Sequence, residues 1–222
     1  MTTPGRMTRR RFLSASLLLA APWNEGPKMS APPTPQRVQA GLWRWVKSPG
    51  LERFELLRAP GAWHLRGTIV TWPGREPAEA RYEVVCDGSW QTRRVDVSLR
   101  DATGERTLAI EADGGAWIVN GRADASLRGC LDVDLGWSPS TNTLPIRRLR
   151  LEVGGASGTL TAAWVRFPEL SLQPLAQEYL RLSERVYRYA SRQGAFVADL
   201  EVDGDGLVVD YEGVWRRVRP GE

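Results

Sequence analysis

The chain has 222 residues, a hydrophobic fraction of 42% and a charged fraction of 25%, which is typical of a globular protein long enough for one domain. Its formal net charge of +4 is confined to residues 1–28, so residues 29–222 carry equal numbers of acidic and basic side chains. Because a nucleic-acid surface needs clustered and uncompensated lysine and arginine, we expect no nucleic-acid partner.

The first 28 residues resemble an export signal. The pair Arg9 and Arg10 is followed by the apolar Phe12 and by a short apolar run at residues 15–21, as in the bacterial twin-arginine leader. This run is well below the roughly 20 residues that span a bilayer, so no transmembrane segment is predicted. The leader predicts export to the periplasm or the cell envelope.

An alternative start of translation lies at Met29. No clear cleavage pattern follows the apolar run, and a chain that began at Met29 would be cytoplasmic. Residues 29–40 are rich in proline and predict a linker. We therefore divide the chain into a leader at residues 1–28, a linker at 29–40 and one domain at 41–218.

From residue 42 onward, apolar and polar residues alternate in short runs, which is typical of strands with one buried face. Asp-Gly, Gly-Gly and Asn-Gly pairs separate many of the runs and favour the positive φ of tight hairpins. The pattern predicts an all-β fold whose antiparallel sheet curls or closes. The predicted strands are residues 42–46, 63–71, 80–86, 92–99, 107–112, 117–119, 131–135, 146–153, 160–167, 185–190, 196–202 and 207–211.

One segment has a helical spacing instead. Apolar residues from Leu175 to Tyr189 are separated by four, three, four and three positions, which predicts a short helix or an irregular crossover at residues 174–183. We keep residues 185–190 as a strand because their aromatic and β-branched side chains favour one.

The two halves of the chain resemble each other. Residues 79–97 and 184–202 each contain a tyrosine strand, an aromatic residue and an alternating strand, and a glycine turn and a final strand follow in each half. This correspondence predicts an internal duplication, in which two similar curved sheets form one large spiral roll.

Few residues carry the signature of a catalytic or metal site. His64, the single histidine, lies in a predicted strand without a partner at metal-ligand spacing. The chain has no nucleophile elbow and no phosphate loop. Cys86 and Cys130 fall inside strands, which favours buried thiols over a disulfide, and two cysteines are too few for a cysteine-rich zinc site. We expect no metal and no cofactor.

Three aspartates could supply paired carboxylates. Asp132 and Asp134 project to the same side of a predicted strand, and Asp210 lies in the last one, so a hydrolase or lyase acting on a sugar or lipid is one candidate function. The same spacing is expected of a polar face that pairs with Arg147 or Arg148. This ion-pair interpretation is the favoured one.

The ten tryptophans allow two interpretations. They fill the core and cover sheet edges, or they line a concave apolar surface with indole N–H groups at its rim. A surface of the second kind would suit a lipid tail below and sugars above.

Residues 129–149, with the sequence GCLDVDLGWSPSTNTLPIRRL, hold the most specific pattern of the chain. Together with the ending at residues 187–215, this pattern is similar to the glycolipid-binding family of bacteria, a family of unknown function, and the resemblance covers residues 41–218. It implies a curved β-roll or incomplete barrel similar to the periplasmic lipoprotein carriers, which hold acyl chains in a concave sheet.

The resemblance implies a non-catalytic protein that holds a glycolipid or lipid in a concave apolar cavity. The alternatives are the carboxylate enzyme and a structural or interaction module without a ligand. Residues 137–149 are expected to frame the mouth of the cavity or to form a stiff turn into a strand at 146–153, on which one arginine would face the cavity and the other an aspartate. The predicted ligand-binding residues are Asn142, Thr143, Arg147, Arg148, Trp137, Tyr179, Asp134 and Tyr211.

Overall fold

The computed structural model describes Met1 and residues 34–192, 194–219 and 221. The predicted leader beyond Met1 and the first part of the predicted linker lie outside the described residues. The first strand begins at Gln36, so residues 36–40, which we predicted as linker, belong to the sheet. They pair there with the end of the second strand, where Gln36 lies opposite Arg58.

The described residues form fifteen strands and one α-helix. The first eight strands are β1 (Gln36–Trp45), β2 (Gly50–Ala59), β3 (Ala62–Thr71), β4 (Ala78–Asp87), β5 (Thr92–Asp101), β6 (Gly104–Asp113), β7 (Ala116–Val119) and β8 (Arg122–Ala123). The other seven are β9 (Asp132–Leu135), β10 (Leu160–Arg166), β11 (Ser171–Arg181), β12 (Val186–Ser191), β13 (Phe196–Val202), β14 (Val208–Tyr211) and β15 (Trp215–Arg217). Two 3-10 turns, Ala125–Leu127 and Ser140–Asn142, precede β9 and the helix α1 (Thr143–Leu149).

All the strands belong to one sheet, in the order β8-β7-β6-β5-β4-β3-β2-β1-β15-β14-β13-β12-β11-β10-β9. The chain runs outward from β1 to β8 at one edge, crosses to β9 at the other edge and returns to β15 beside β1. Neighbouring strands are antiparallel except β9 and β10, which are parallel. The predicted curved all-β sheet is confirmed, and the sheet is not closed.

The inward face of the sheet is apolar at alternating positions. In β4, for example, Ala80, Tyr82 and Val84 are buried, and the residues between them are half-buried or exposed. Trp43 of β1 stacks on Phe54 of β2 with the ring centroids 3.7 Å apart. Removing this face from water is the main favourable contribution to folding.

Residues 137–149, which we call the plug segment, occupy the hollow of the sheet. Residues 137–146 are all buried. The hydroxyl of Ser138 donates to Glu52 of β2 at 2.8 Å, and that of Thr143 donates to the carbonyl of Gly206, between β13 and β14, at 3.1 Å. A buried segment that bonds to both halves of one sheet lies between those halves, on the concave face.

The conformation of the plug segment contradicts the predicted strand at residues 146–153. It forms a 3-10 turn and α1, so the interpretation as a stiff turn into a strand is also wrong. Pro145 lies in the first turn of α1, where its fixed φ and missing N–H are compatible with a helix. Arg150 ends the helix in the left-handed conformation, with φ 49°.

The predicted helix or crossover at residues 174–183 is wrong as well, and β2 was missed. The inward positions of β11 include Leu175, Gln177 and Tyr179, and those of β2 include Glu52 and Phe54. Each strand buries one polar side chain on its apolar face, so the alternation that predicts a strand is broken in the sequence. The short strands β8 and β15 were also missed.

The segments behind the predicted duplication form two hairpins. Residues 79–97 fall in β4 and β5, and residues 184–202 fall in β12 and β13. The first hairpin is followed by β6 before the matching strand β7, whereas β14 follows the second directly. The duplication itself stays a prediction.

Candidate functional site

A buried carboxyl group anchors the plug segment to the sheet. Glu52 has no exposed surface, and its Oε1 accepts hydrogen bonds from the hydroxyls of Tyr82 and Ser138. Ser138 also lies 2.7 Å from the hydroxyl of Ser140. Burial raises the pKa of Glu52 from 4.5 to about 8, although the two hydrogen bonds lower it in part.

The position of Tyr82 depends on a glycine. Tyr82 lies opposite Gly67 of β3, and a Cβ at Gly67 would be 2.3 Å from the tyrosine ring. Only the absence of a side chain lets the ring cross the strand at this distance and bring its hydroxyl to Glu52.

Beside the plug segment, the concave face has a small pocket of about 210 Å³. Part of its wall comes from β9 and the plug segment, which contribute Asp134, Ser138 and Asn142. The rest comes from β10–β15 and from Arg192 and Val214 in the connections after β12 and β14, and it is mainly aromatic. These further lining residues include Trp164, Tyr189, Phe196, Tyr211 and Trp215.

The polar groups of the pocket are held by a chain of hydrogen bonds. The amide of Gln177 donates to Asp134 Oδ2 and is 3.1 Å from the hydroxyl of Tyr189. The hydroxyl of Tyr179 donates to Asn142 Oδ1 at 2.9 Å. Because the residues that hold Asp134 and Asn142 both belong to strand β11, the two side chains are pre-positioned for a ligand.

Asp134 is the carboxyl group among the lining residues of the pocket. Burial raises its pKa from 3.8 to about 6, and the hydrogen bond from Gln177 lowers it in part. No ion-pair partner of Asp134 is found in the described part of the chain. At neutral pH this carboxylate is therefore charged and carries its charge into a mostly aromatic wall.

Three polar groups on the wall of the pocket have hydrogen-bonding capacity to spare. The indole N–H of Trp164, the hydroxyl of Tyr211 and Asp134 Oδ1 make no hydrogen bond within residues 34–192, 194–219 and 221. Buried or half-buried groups of this kind usually find a partner in water or in a ligand. The pocket thus offers these two donors and one charged acceptor beside aromatic rings, and the guanidinium of Arg192 lies over one of them, 5.2 Å from the centroid of Trp164.

The structure brings three of the eight predicted site residues together. Asp134, Asn142 and Tyr211 line the pocket, and Tyr179 supports Asn142 from behind it. Sequence reasoning missed Ser138, Gln177 and the aromatic residues of β10, β12, β13 and β15. The signal for Ser138 was available, since it lies between Trp137 and Asn142 in the segment that we singled out.

The other predicted residues have structural contacts. Trp137 stacks on Phe167 with centroids 4.9 Å apart, and the hydroxyl of Thr143 is used by Gly206. Arg148 forms two hydrogen bonds with Asp132, at 2.6 and 3.1 Å, and both side chains are largely buried.

The three aspartates do not share a pocket. Arg148 pairs with Asp132, as the favoured interpretation predicted, and Arg216 pairs with Asp210 at 2.8 Å. Asp134 alone lines the pocket. Paired-carboxylate chemistry needs two acids on the same bond at roughly 5–10 Å, an arrangement that the described lining residues do not provide.

The remaining chemically active side chains are engaged elsewhere. His64 Nδ1 lies 2.8 Å from Glu83 on the outer face of the sheet. Cys86 and Cys130 are free, buried thiols, as the sequence favoured. Burial raises the pKa of both thiols, that of Cys130 to about 11, so neither is a thiolate at neutral pH.

Arg147 lines a second depression, which we call the arginine groove. Its volume is about 690 Å³, and α1, the connection between β11 and β12, and the turn between β13 and β14 form its walls. Four arginines line it, namely Arg147, Arg150, Arg181 and Arg185. The lining of the groove is mainly charged, in contrast to that of the aromatic pocket.

Comparisons with known proteins agree with this architecture. The model of the family described as "Putative glycolipid-binding" matches residues 41–217. The crystal structure of a DUF1089 family protein from Pseudomonas aeruginosa is similar to this chain with a TM-score of 0.70 and 34% sequence identity, over 82% of this chain and 98% of that one. No curated protein matches the sequence. Among the described residues, no helix has the length and apolar character needed to cross a membrane.

Proposed function

The chain belongs to this glycolipid-binding family, and on that premise we propose that it is a non-catalytic protein that binds the sugar head group of a glycolipid in the small pocket. The observation that carries the proposal is the pocket itself, where a charged acceptor and two unused donors lie beside aromatic rings. The acyl chains of the ligand remain outside the pocket.

The chemistry of the wall supports a sugar. Hydroxyl groups of a sugar ring both donate and accept hydrogen bonds, and they match the carboxylate of Asp134, the indole N–H of Trp164 and the hydroxyl of Tyr211. The C–H groups on the face of the same ring are weakly positive and pack against the negative face of an aromatic side chain. Phe196 is half-buried at this wall and offers such a face.

The size of the pocket argues against an enclosed lipid tail. A volume of about 210 Å³ equals that of about seven liquid water molecules, and it is below the roughly 300 Å³ at which pockets for drug-sized ligands begin. The plug segment fills the space that an acyl chain would need. A head group of one sugar ring fits the remaining volume of the pocket better.

We propose a non-catalytic protein because the carboxyl groups are not placed for acid–base chemistry. Asp132 and Asp210 are paired with arginines outside the pocket, which leaves Asp134 without a second acid or base on the described wall.

We also propose that the protein is exported through its twin-arginine leader. Mass spectrometry that found the intact N-terminal peptide in the cytosol would contradict the export.

Binding is tested by titration calorimetry and tryptophan fluorescence with three kinds of probe. Octyl glycosides below their micelle concentration carry a sugar and a chain, methyl glycosides carry the sugar alone, and octyl polyoxyethylene ether carries the chain alone. We expect saturable binding of at least one octyl glycoside and of its methyl counterpart, and none of the ether. Binding of the ether alone would overturn the proposal.

Two matched variants locate the site. Asp134→Asn keeps the shape of the wall but removes a charged hydrogen-bond acceptor, which lowers affinity by about tenfold or more. Asp210→Asn makes the same chemical change at an ion pair outside the pocket and leaves affinity unchanged. Equal loss in both variants would show that the probes bind elsewhere.

A further inference from the structure

The arginine groove brings together four arginines that form no ion pair among the described residues. Many exposed arginines on the strands pair with carboxylates, as Arg188 does with Asp199 and Arg53 does with Glu55. In the groove, Arg147 and Arg181 are held by groups without net charge. Their positive charge therefore stays available to a ligand.

The contacts of Arg181 fix its guanidinium group. Its three nitrogens donate to the carbonyls of Leu151 at 2.6 Å, Glu184 at 2.8 Å and Ser183 at 3.2 Å. The group also lies over the ring of Tyr187, 5.5 Å from the centroid. A guanidinium has five N–H bonds, so two remain for a ligand after these three contacts.

Arg147 is fixed in a similar way. It donates to the carbonyl of Gly204 at 3.3 Å and lies over the ring of Trp90, 5.4 Å from its centroid. Its side chain crosses Gly206, where a Cβ would lie 2.9 Å from the arginine Cδ. Gly206 also has a φ of 78°, which suits glycine. The turn is thus shaped to let this arginine reach the groove.

Arg150 and Arg185 add two exposed charges. Neither forms an ion pair within residues 34–192, 194–219 and 221, although Glu152 and Glu184 line the same groove. The third acid, Asp203, already binds Arg217 at 2.6 Å. The groove therefore has an excess of positive charge.

From this arrangement we propose that the arginine groove binds a phosphate or phosphodiester group. Arginine forks match the oxygens of such a group, and a pre-positioned fork loses little entropy on binding. The groove volume of about 690 Å³ accommodates a substituted phosphate, either a soluble phosphate ester or a phospholipid head group. The site is separate from the sugar pocket and does not depend on it.

The experiment uses the full-length protein, two ligand sources and two double variants. Calorimetry measures binding of inorganic phosphate and glycerol phosphate, and sedimentation measures binding to phosphatidylcholine vesicles with and without phosphatidylglycerol. Arg150→Gln/Arg185→Gln removes two groove charges. Arg53→Gln/Arg100→Gln lowers the net charge equally, at exposed arginines that pair with Glu55 and Glu105.

We expect the groove variant to lose about tenfold in affinity for each arginine, the control variant to bind like the wild type, and added salt to weaken binding. Binding of the soluble phosphates supports a soluble ester, and binding of anionic vesicles alone supports a phospholipid. If the wild type binds neither source, or if both variants lose affinity equally, the proposal is overturned. Either result leaves the sugar titrations of the pocket unaffected.

Discussion

Replacing Glu52 by glutamine should change how stability depends on pH. Below pH 4.5 the carboxyl is protonated in both the folded and the unfolded chain. Between pH 4.5 and about 8 only the folded chain keeps the proton, so the free energy of unfolding falls as the pH rises, and above pH 8 this dependence ends. Glutamine cannot titrate and still accepts from Tyr82 and Ser138.

The magnitude follows from the pKa of the buried group. A rise from 4.5 to about 8 covers about 3.5 pH units, each worth about 1.4 kcal/mol. The unfolding free energy of Glu52→Gln minus that of the wild type should therefore rise by about 5 kcal/mol from pH 4.5 to pH 8. This is a large share of the roughly 5–15 kcal/mol that holds a domain folded.

Urea unfolding followed by tryptophan fluorescence at a series of pH values measures this difference. The control is Glu55→Gln on the same strand, where the half-buried carboxyl pairs with Arg53 and Arg37 and its pKa is lowered. That variant should show a small dependence of opposite sign. If the difference in unfolding free energy between the wild type and Glu52→Gln stays constant from pH 5 to pH 8, Glu52 is not neutral in the folded protein and the reasoning is refuted.

Three further outcomes are expected. Gly67→Ala should destabilise the fold by roughly 1–3 kcal/mol in urea unfolding, because its Cβ would lie 2.3 Å from the ring of Tyr82. Arg148→Ala should cost roughly 3–5 kcal/mol by the same measurement, because it leaves the buried carboxylate of Asp132 without its partner. Glycoside affinity should fall as the pH is lowered through about 6, where Asp134 is protonated, and should be independent of pH in Asp134→Asn.

A control variant with the same chemical change at another position tests the explanation of each prediction. Gly74→Ala introduces a Cβ with no neighbour within 4 Å and should leave stability unchanged. Arg188→Ala breaks an exposed pair with Asp199 and should cost less than about 1 kcal/mol. Asp210→Asn should keep the pH dependence of glycoside binding. Equal effects of a test variant and its control would contradict the corresponding explanation.

Most of the strands that the sequence predicted have a mainly apolar inward face. β4 and β5 were found because alternate residues such as Val84 and Val97 are buried without interruption. β2 and β11 were not found because Glu52 and Gln177 stand at inward positions. These two polar side chains bond to the plug segment and to the pocket, so the features that hid the strands are the ones that build the site.

The candidate site was only partly predictable for a related reason. Asp134 and Asn142 lie in the most specific pattern of the sequence and were singled out. The aromatic wall comes from Trp164, Phe196 and Trp215, which are distant in sequence, and only the path of the sheet brings them together. The helix and the burial of the plug segment were not predicted, because two prolines and several hydroxyl residues are typical of an exposed loop.

The central position of β1 has a consequence for how the protein is made. β1 to β8 can pair with one another as soon as they leave the ribosome, but the other edge of β1 has no partner until β15, which ends at Arg217, has been synthesised. An open strand edge is a template for association with other chains. Truncation before Trp215 should therefore produce aggregation of the nascent chain, and co-translational chaperones would be expected to occupy this edge during synthesis.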